Sequence, residues 1–542
     1  MRKIGFWKKW GLMFSLSGAV LVIVLDSSVM NVSISALIND LNTSVKSIQW
    51  LIAIYSLVMA SLMITGGRLA DLFGRKKVFI IGASMFGSGA LISALAPKLW
   101  VLLLGWSIIE GIGSALMLPV TLSLILENYR DKDRMLAFGI WGGIGAAGTA
   151  LGPLYGGFMT SNFSWRWAFG GEAIIIALIL IFAWLITSQY KPNNDEKSID
   201  VTGAALSALG LGSLIYGLIQ ASTYGWWHAK AVYQVGTWQF KLWDMSITPF
   251  FLLAGSLILV LFYFWERKVG KRGHNPIVNF DVFKNANFTS GIITLAMLSA
   301  MLAGIVLVIP IFLQIILGLD AFHTGLTLLS MSLTVFALSI GGVKLGQVLS
   351  PRLIVQSGIA LVLISVVALS SAIKATSAAS DLTWGLILLG IGQGAILSQI
   401  SGITLSSLSK DQFGEASGLT SAVRMFSGAL GTAIIGTIFL SSLTANMIDL
   451  TKDSSVIPNV AKPALVRGIE SAQTSSDNKT AAQTKALPPT IAAELSRIKN
   501  AAGVKAAKDS LYYSLAIFIG AATLASFWLP KKVEQLDIKD IE

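Results

Sequence analysis

The 542-residue chain contains no cysteine, which excludes a disulfide framework, a thiolate nucleophile and a cysteine-ligated metal. Charge is scarce too. Asp, Glu, Lys and Arg make up 13% of the residues, about half the share in an ordinary globular protein. The three histidines, His228, His274 and His323, fall in expected loops, so a proton relay within the apolar segments must use carboxylates. No G-x-x-x-x-G-K-[ST] phosphate loop is present, which removes ATP as a fuel, and no HExxH cluster suggests an intramembrane metalloprotease. The basic opening MRKIGFWKKW is followed by no small-residue cleavage site and reads as the start of an uncleaved first helix.

What the chain has is apolar sequence. Hydrophobic residues reach 54% and the mean hydropathy is +0.72, values foreign to a soluble protein of this length. A net charge of +12 would point to nucleic acid in a soluble chain, but in a polytopic membrane protein Lys and Arg collect in cytoplasmic loops. No nucleic-acid partner is expected.

A bilayer core of about 30 Å needs about 20 mostly apolar residues per helix. Fourteen such runs lie near 11–32, 48–68, 78–96, 99–123, 135–158, 167–187, 203–221, 247–264, 288–317, 324–348, 353–372, 382–407, 415–440 and 511–529. An N-terminus inside the cell places Arg75, Lys76, Lys77, Arg130, Lys132, Arg134, Arg267, Lys268, Lys271, Arg272, Lys531 and Lys532 on one side. Both termini are then cytoplasmic. The Trp-rich YGWWHAKAVYQVGTWQFKLW and a polar stretch at about 443–508 fall on the opposite side. GRKKVFIIG (74–82) can be laid on SPRLIVQSG (350–358), setting Asp71 against Gln347, a weak internal repeat. The expected division is a six-helix bundle at 1–195, two inserted helices at 196–270 and a second six-helix bundle at 271–542 carrying a long extracellular loop.

Between the second and third runs stands GGRLADLFGRKK. Gly67, Asp71, Gly74, Arg75 and Lys76 fit the G-x-L-x-D-x-x-G-R-K signature of the major facilitator superfamily, which the chain resembles. The glycines permit tight turns and close helix approach, and Asp71 can meet Arg75 or the positive N-terminus of a neighbouring helix as a latch. LDSSVMN (25–31), QWLIAIYSL, GTALGPLYGG (148–157) and SWRWAF (164–169) further resemble the fourteen-spanner drug:proton antiporters. Gly148, Gly152 and Gly156 recur at i, i+4 and i+8, with Gly157 beside the last, as a stripe for close packing; Pro153 removes a backbone donor and can bend the helix. In the family this element marks exporters.

Ionisable residues inside spans cost about 2.5–3.5 kcal/mol even on the lenient scale, so each needs a reason. Asp26 on the first span either carries protons or is a packing acid held by Ser27, Ser28 and Asn31. Glu172 on the sixth span is a cavity or a structural acid. Arg424, in GLTSAVRMFSGALG, lines a cavity, neutralises a carboxylate or anchors its helix. On the fourth span SIIEG departs from the family's R-x-x-Q-G: Ser107 replaces the Arg and Glu110 the Gln. Burial without that cation disfavours a charged carboxylate, which makes Glu110 a proton carrier beside Asp26.

The resemblance implies an all-α polytopic protein of the cell membrane with the major facilitator fold. It implies no enzyme and no cofactor, but a monomeric proton-coupled antiporter in the lipid bilayer that exports lipophilic or cationic drugs. An anionic central cavity with aromatic and methionine walls would accept such hydrophobic cations. An exporter of an endogenous lipid or metabolite, or a non-transporting receptor or assembly scaffold, remains open at this point.

Overall fold

The computed structural model describes residues 6–43, 45–183, 200–235, 238–240, 243–272, 276–346, 348–405, 408, 412–474 and 488–530. Each of the fourteen expected spans overlaps a helix: α1 (Phe6–Asp40), α2 (Val45–Phe73), α3 (Arg75–Ala94), α4 (Leu99–Asn128), α5 (Asp131–Asn162), α6 (Arg166–Phe182), α7 (Val201–Tyr224), α8 (Thr248–Lys271), α9 (Ala286–Ile311), α10 (Ala321–Leu345), α11 (Pro351–Ala372), α12 (Thr383–Leu405), α13 (Phe413–Asp453) and a last span made of α15 (Pro489–Ser514) and α16 (Gly520–Ser526). Only helices satisfy their own backbone polar groups inside lipid, and polar residues close them at their ends. Asp200, Asn285, Asp320 and Ser350 cap α7, α9, α10 and α11. A β-hairpin of β1 (Tyr233–Val235) and β2 (Trp238–Phe240) joins α7 to α8.

Two sequence expectations change. The stretch at 443–508, expected as a long loop, is mostly helical among the described residues: α13 continues to Asp453, α14 covers Lys462–Thr474, and α15 already begins at Pro489. Alanine-rich sequence favours helix without an apolar run to announce it. Side chains bind these extensions together, Ser442 Oγ donating to Asp509 (2.6 Å) and Ser454 Oγ to Glu494 (2.7 Å). His323 is in the first turn of α10, not a loop, but outside the apolar interior. His274, Gln347, Lys531, Lys532 and the expected boundary near 195 lie outside the described residues.

The faint repeat corresponds to a repeated packing scheme. α1 packs on α5 as α9 packs on α13, α2 on α4 as α10 on α12, and α3 on α4 as α11 on α12. GRKKVFIIG and SPRLIVQSG open α3 and α11, the third helices of the two halves. The halves meet through exchanged pairs, the second helix of each against the fifth of the other: α2 on α13 and α10 on α5. α7 lies outside the α2–α13 seam, with α8 packed on it; α8 faces outward along most of its length.

Candidate functional site

The π-helical segment Leu103–Glu110 interrupts α4. Such a turn widens the helix and re-aims side chains, and it is frequent at functional sites. Here it turns Trp106 and Glu110 into the interior of the first half. Trp106 Nε1 donates to Asp26 Oδ1 of α1 (2.7 Å), and Ser93 Oγ of α3 donates to Glu110 Oε1 (3.1 Å). Glu172 of α6 completes a triad whose nearest oxygens, one from each carboxyl, all lie within 4.8 Å of one another. The three residues are 0%, 0% and 1% exposed. Among the described residues Asp26 Oδ2, Glu110 Oε2 and Glu172 Oε2 have no hydrogen-bond partner, and no Lys, Arg or His forms an ion pair with any of the three.

Aromatic rings seal the triad. Tyr55 stacks on Trp106 with centroids 5.6 Å apart, Phe169 meets Trp106 edge-on at 6.0 Å, and the Tyr55 hydroxyl bonds to Ser114 (3.1 Å). Sequence reasoning singled out the three acids but neither Trp106, Ser93 nor Tyr55. The position of Trp106, four residues before Glu110, was the available signal. Asp26 is held by Trp106, while Ser27 Oγ turns back to Val24 O (2.9 Å) and the side chains of Ser28 and Asn31 lie outside the described residues. The acids do not line the expected cavity between the halves: all three are buried and enclosed by α1, α3, α4 and α6 together with Tyr55 of α2, because these helices pack together within the first half.

The glycine element of α5 supports this arrangement. A Cβ on Gly148 would stand 3.0 Å from Val24, and one on Gly156 3.0 Å from Val29, so the stripe is the surface on which α1, and with it Asp26, rests. Gly152 and Gly157 are buried. The helix bends by 42° between Lys132–Gly148 and Leu151–Thr160, where Pro153 withdraws a backbone donor. The SWRWAF motif closes the far end: Trp165 Nε1 (3.1 Å) and the Arg166 guanidinium both donate to Asp40 of α1, and Arg166 Nη2 reaches Ala96 O (3.0 Å). The Arg166 guanidinium holds the Asp40 carboxyl below the usual carboxylate range.

At the opposite end the signature motif joins the halves. Asp71 Oδ1 pairs with Arg75 (3.1 Å), while its Oδ2 accepts the backbone N–H of Glu415 (3.1 Å) in the first turn of α13. It therefore meets both of the partners that the sequence offered. Arg75 also reaches Glu127 (3.4 Å) and lies over the Phe413 ring. A Cβ on Gly67 would fall 2.3 Å from the Gly414 carbonyl oxygen, so the two backbones touch there. Gly74, at φ 95°, makes the break between α2 and α3. Lys76 is half-buried beside it. Glu415 in turn accepts the Asn279 N–H, tying the α8–α9 connection to this latch. Arg424 is not a partner of any described carboxylate; its guanidinium lies 4.9 Å from the ring centroid of Trp141.

Comparison with known proteins places these features. Residues 16–432 match the model of the Major Facilitator Superfamily. The probable actinorhodin transporter of Streptomyces coelicolor is 29% identical over 446 residues, covering 80% of this chain and 73% of that protein. The multidrug resistance protein Stp of Mycobacterium tuberculosis is 27% identical over 428 residues, covering 79% and 75%. A bacterial homolog of the human lysosomal transporter Spinster, solved in an inward-facing and unoccupied conformation, aligns with a TM-score of 0.54 at 15% identity over 97% of this chain and 98% of that one.

Proposed function

This chain belongs to the Major Facilitator Superfamily, and on that premise we propose that it is a proton-driven antiporter exporting lipophilic small molecules across the cell membrane. It is a multi-pass membrane transporter whose relatives include named drug and antibiotic exporters. The observation that carries the finer reading is the triad of Asp26, Glu110 and Glu172, buried and, among the described residues, without a cationic partner. At 4.8 Å two like charges repel by about 3 kcal/mol for an effective dielectric of ~20, so three cannot stay ionised together. Protons neutralise them, and each proton taken up or released changes how tightly α1, α4 and α6 are held.

In this reading the end carrying Asp71 faces the cytoplasm, as do both termini. Protons reach the triad from outside, the latch at Asp71 and Arg75 opens and shuts the inner end, and the two halves rock about the exchanged pairs α2–α13 and α5–α10. The protein works as a monomer. The cationic substrates expected of an anionic cavity lose their support, since the three mid-span acids are sealed away from the seam between the halves.

Efflux of a lipophilic dye from proteoliposomes, with and without an imposed pH gradient, tests the proposal. Wild type should respond to the gradient, and Asp26→Asn, Glu110→Gln and Glu172→Gln should each abolish that response. The same three oxygens could also ligate a small metal cation. Transport driven by a sodium gradient in the absence of a pH gradient would therefore replace protons with that ion.

A further inference from the structure

α13 is buried at every residue from Phe413 to Ala422 and then half-buried from Val423 to Phe426. The inner seal therefore ends at Ala422, and Arg424 is the first charged side chain above it on this helix. Arg424 stands 11 residues into α13 and Trp141 10 residues into α5, which sets both about 15 Å from the inner end, near mid-membrane. α5 packs on α1, α10 and α12, whereas α13 packs on α2, α9 and α15. The Arg424–Trp141 contact thus crosses from one half of the protein to the other.

The two residues differ in how well they are satisfied. Trp141 is fixed: its Nε1 donates to Thr121 Oγ1 (2.8 Å), and that hydroxyl donates to Leu118 O (2.6 Å). Among the described residues Arg424 is held only by the face of that ring. Among the described residues no carboxylate lies within ion-pair distance of it, and the acids nearest mid-membrane are enclosed in the first half. A guanidinium carries five N–H donors in a planar fork suited to a carboxylate, and it stacks on aromatic faces. A half-buried fork without an acceptor leaves that capacity to water or to a ligand.

We propose that Arg424 and Trp141 form the substrate subsite of the seam and that it takes planar aromatic acids, the anionic oxygens on the guanidinium fork and the ring beside the indole. The half-buried Val423 and Met425 flank Arg424 on α13 and add apolar surface at the same level. This rests on the exporter reading and reverses the expected substrate charge, because at mid-membrane the positive group lies in the seam and the three acids Asp26, Glu110 and Glu172 lie outside it. Proton coupling and substrate binding are then separate sites, linked through α1 and α5, which pack on each other.

Equilibrium binding to the purified protein in lipid nanodiscs tests it without requiring transport. The probes are fluorescein, an aromatic acid, and a cationic rhodamine with the same ring system, both followed by fluorescence anisotropy at neutral pH. Wild type should prefer fluorescein. Arg424→Gln should weaken fluorescein by about tenfold or more and leave rhodamine unchanged or tighter. Arg424→Lys, which keeps the charge but not the fork, should give an intermediate loss and guards against a misfolded glutamine variant. A preference of the wild type for rhodamine, or fluorescein affinity unchanged in both variants, overturns the proposal. Fluorescein that binds through Arg424 but is never carried upholds the subsite and defeats the exporter reading. A pH gradient that moves rhodamine while fluorescein fails to bind does the reverse.

Discussion

Asp71 of α2 accepts the backbone N–H of Glu415 of α13 across the seam between the two halves, at 3.1 Å, while its other oxygen holds Arg75. One carboxylate thus ties a helix N-terminus of the second half to a buried cation of the first. The glycine backbones at Gly67 and Gly414 leave room for it, since a Cβ on Gly414 would fall 2.3 Å from the Asp71 oxygens. That carboxylate joins the halves at this end together with the touching backbones of Gly67 and Gly414.

Asp71→Asn keeps the size of the side chain and removes the charge. Hydrogen bonds to charged groups are worth about 1.5–3 kcal/mol, so the closed inner end should lose roughly 10- to 100-fold in population. The natural absence of cysteine permits single-cysteine spin-label pairs on the inner ends of α2 and α13. Their distance distribution should gain an open component in Asp71→Asn; a distribution identical to wild type, with unimpaired transport, would remove the latch role.

Gly156→Leu places a branched side chain against Val29, where even a Cβ has only 3.0 Å. Over-packing costs about 1–3 kcal/mol, and the strain falls on α1 close to Asp26. Transport should fall well below wild type while membrane expression stays near normal. Phe158 on the same helix is exposed, and Phe158→Leu should leave transport intact. Equal loss in both variants would show that the stripe has no special packing role.

Trp106→Phe retains a ring against Tyr55 and Phe169 but deletes the N–H that Asp26 Oδ1 accepts at 2.7 Å. The ionised form of Asp26 loses that donor, so the pH midpoint of proton-coupled transport should shift upward. Dye efflux measured from pH 5 to 9 should show that shift with little change in maximal rate. A midpoint unchanged from wild type would make Trp106 a packing residue alone.

Acid should loosen the clamp at Asp40. Its folded-state pKa is lowered from 3.8 by Arg166, so the clamp is fully stabilising above 3.8 and is lost as the pH falls through the lower folded value. Because the pair is largely exposed, the effect should be modest and screened by salt. Asp40→Asn should remove the acid-dependent part of the unfolding temperature below about pH 4 and leave neutral-pH stability only slightly reduced. An identical acid profile in both proteins would show that other carboxylates control it.

The sequence alone determined the spans, because lipid demands helices of a set length and makes apolar runs unmistakable, and it determined the motif at Asp71, because Gly67, Asp71, Gly74 and Arg75 sit together in one short segment. It also named Asp26, Glu110, Glu172 and Arg424, since a charge inside a span stands out against its surroundings. It missed the helices at Lys462–Thr474 and at the start of α15, where polar, alanine-rich sequence carries no apolar run. Only the tertiary structure decided which charges meet. Asp26, Glu110 and Glu172 are 84 and 62 residues apart along the chain, and whether they face each other, the seam or Arg424 depends on how α1, α4 and α6 rotate against one another. That rotation is set by the glycine stripe of α5 beneath α1 and by the π-helical turn before Glu110. Both act through close contacts between helices distant in sequence, and no linear pattern encodes such contacts.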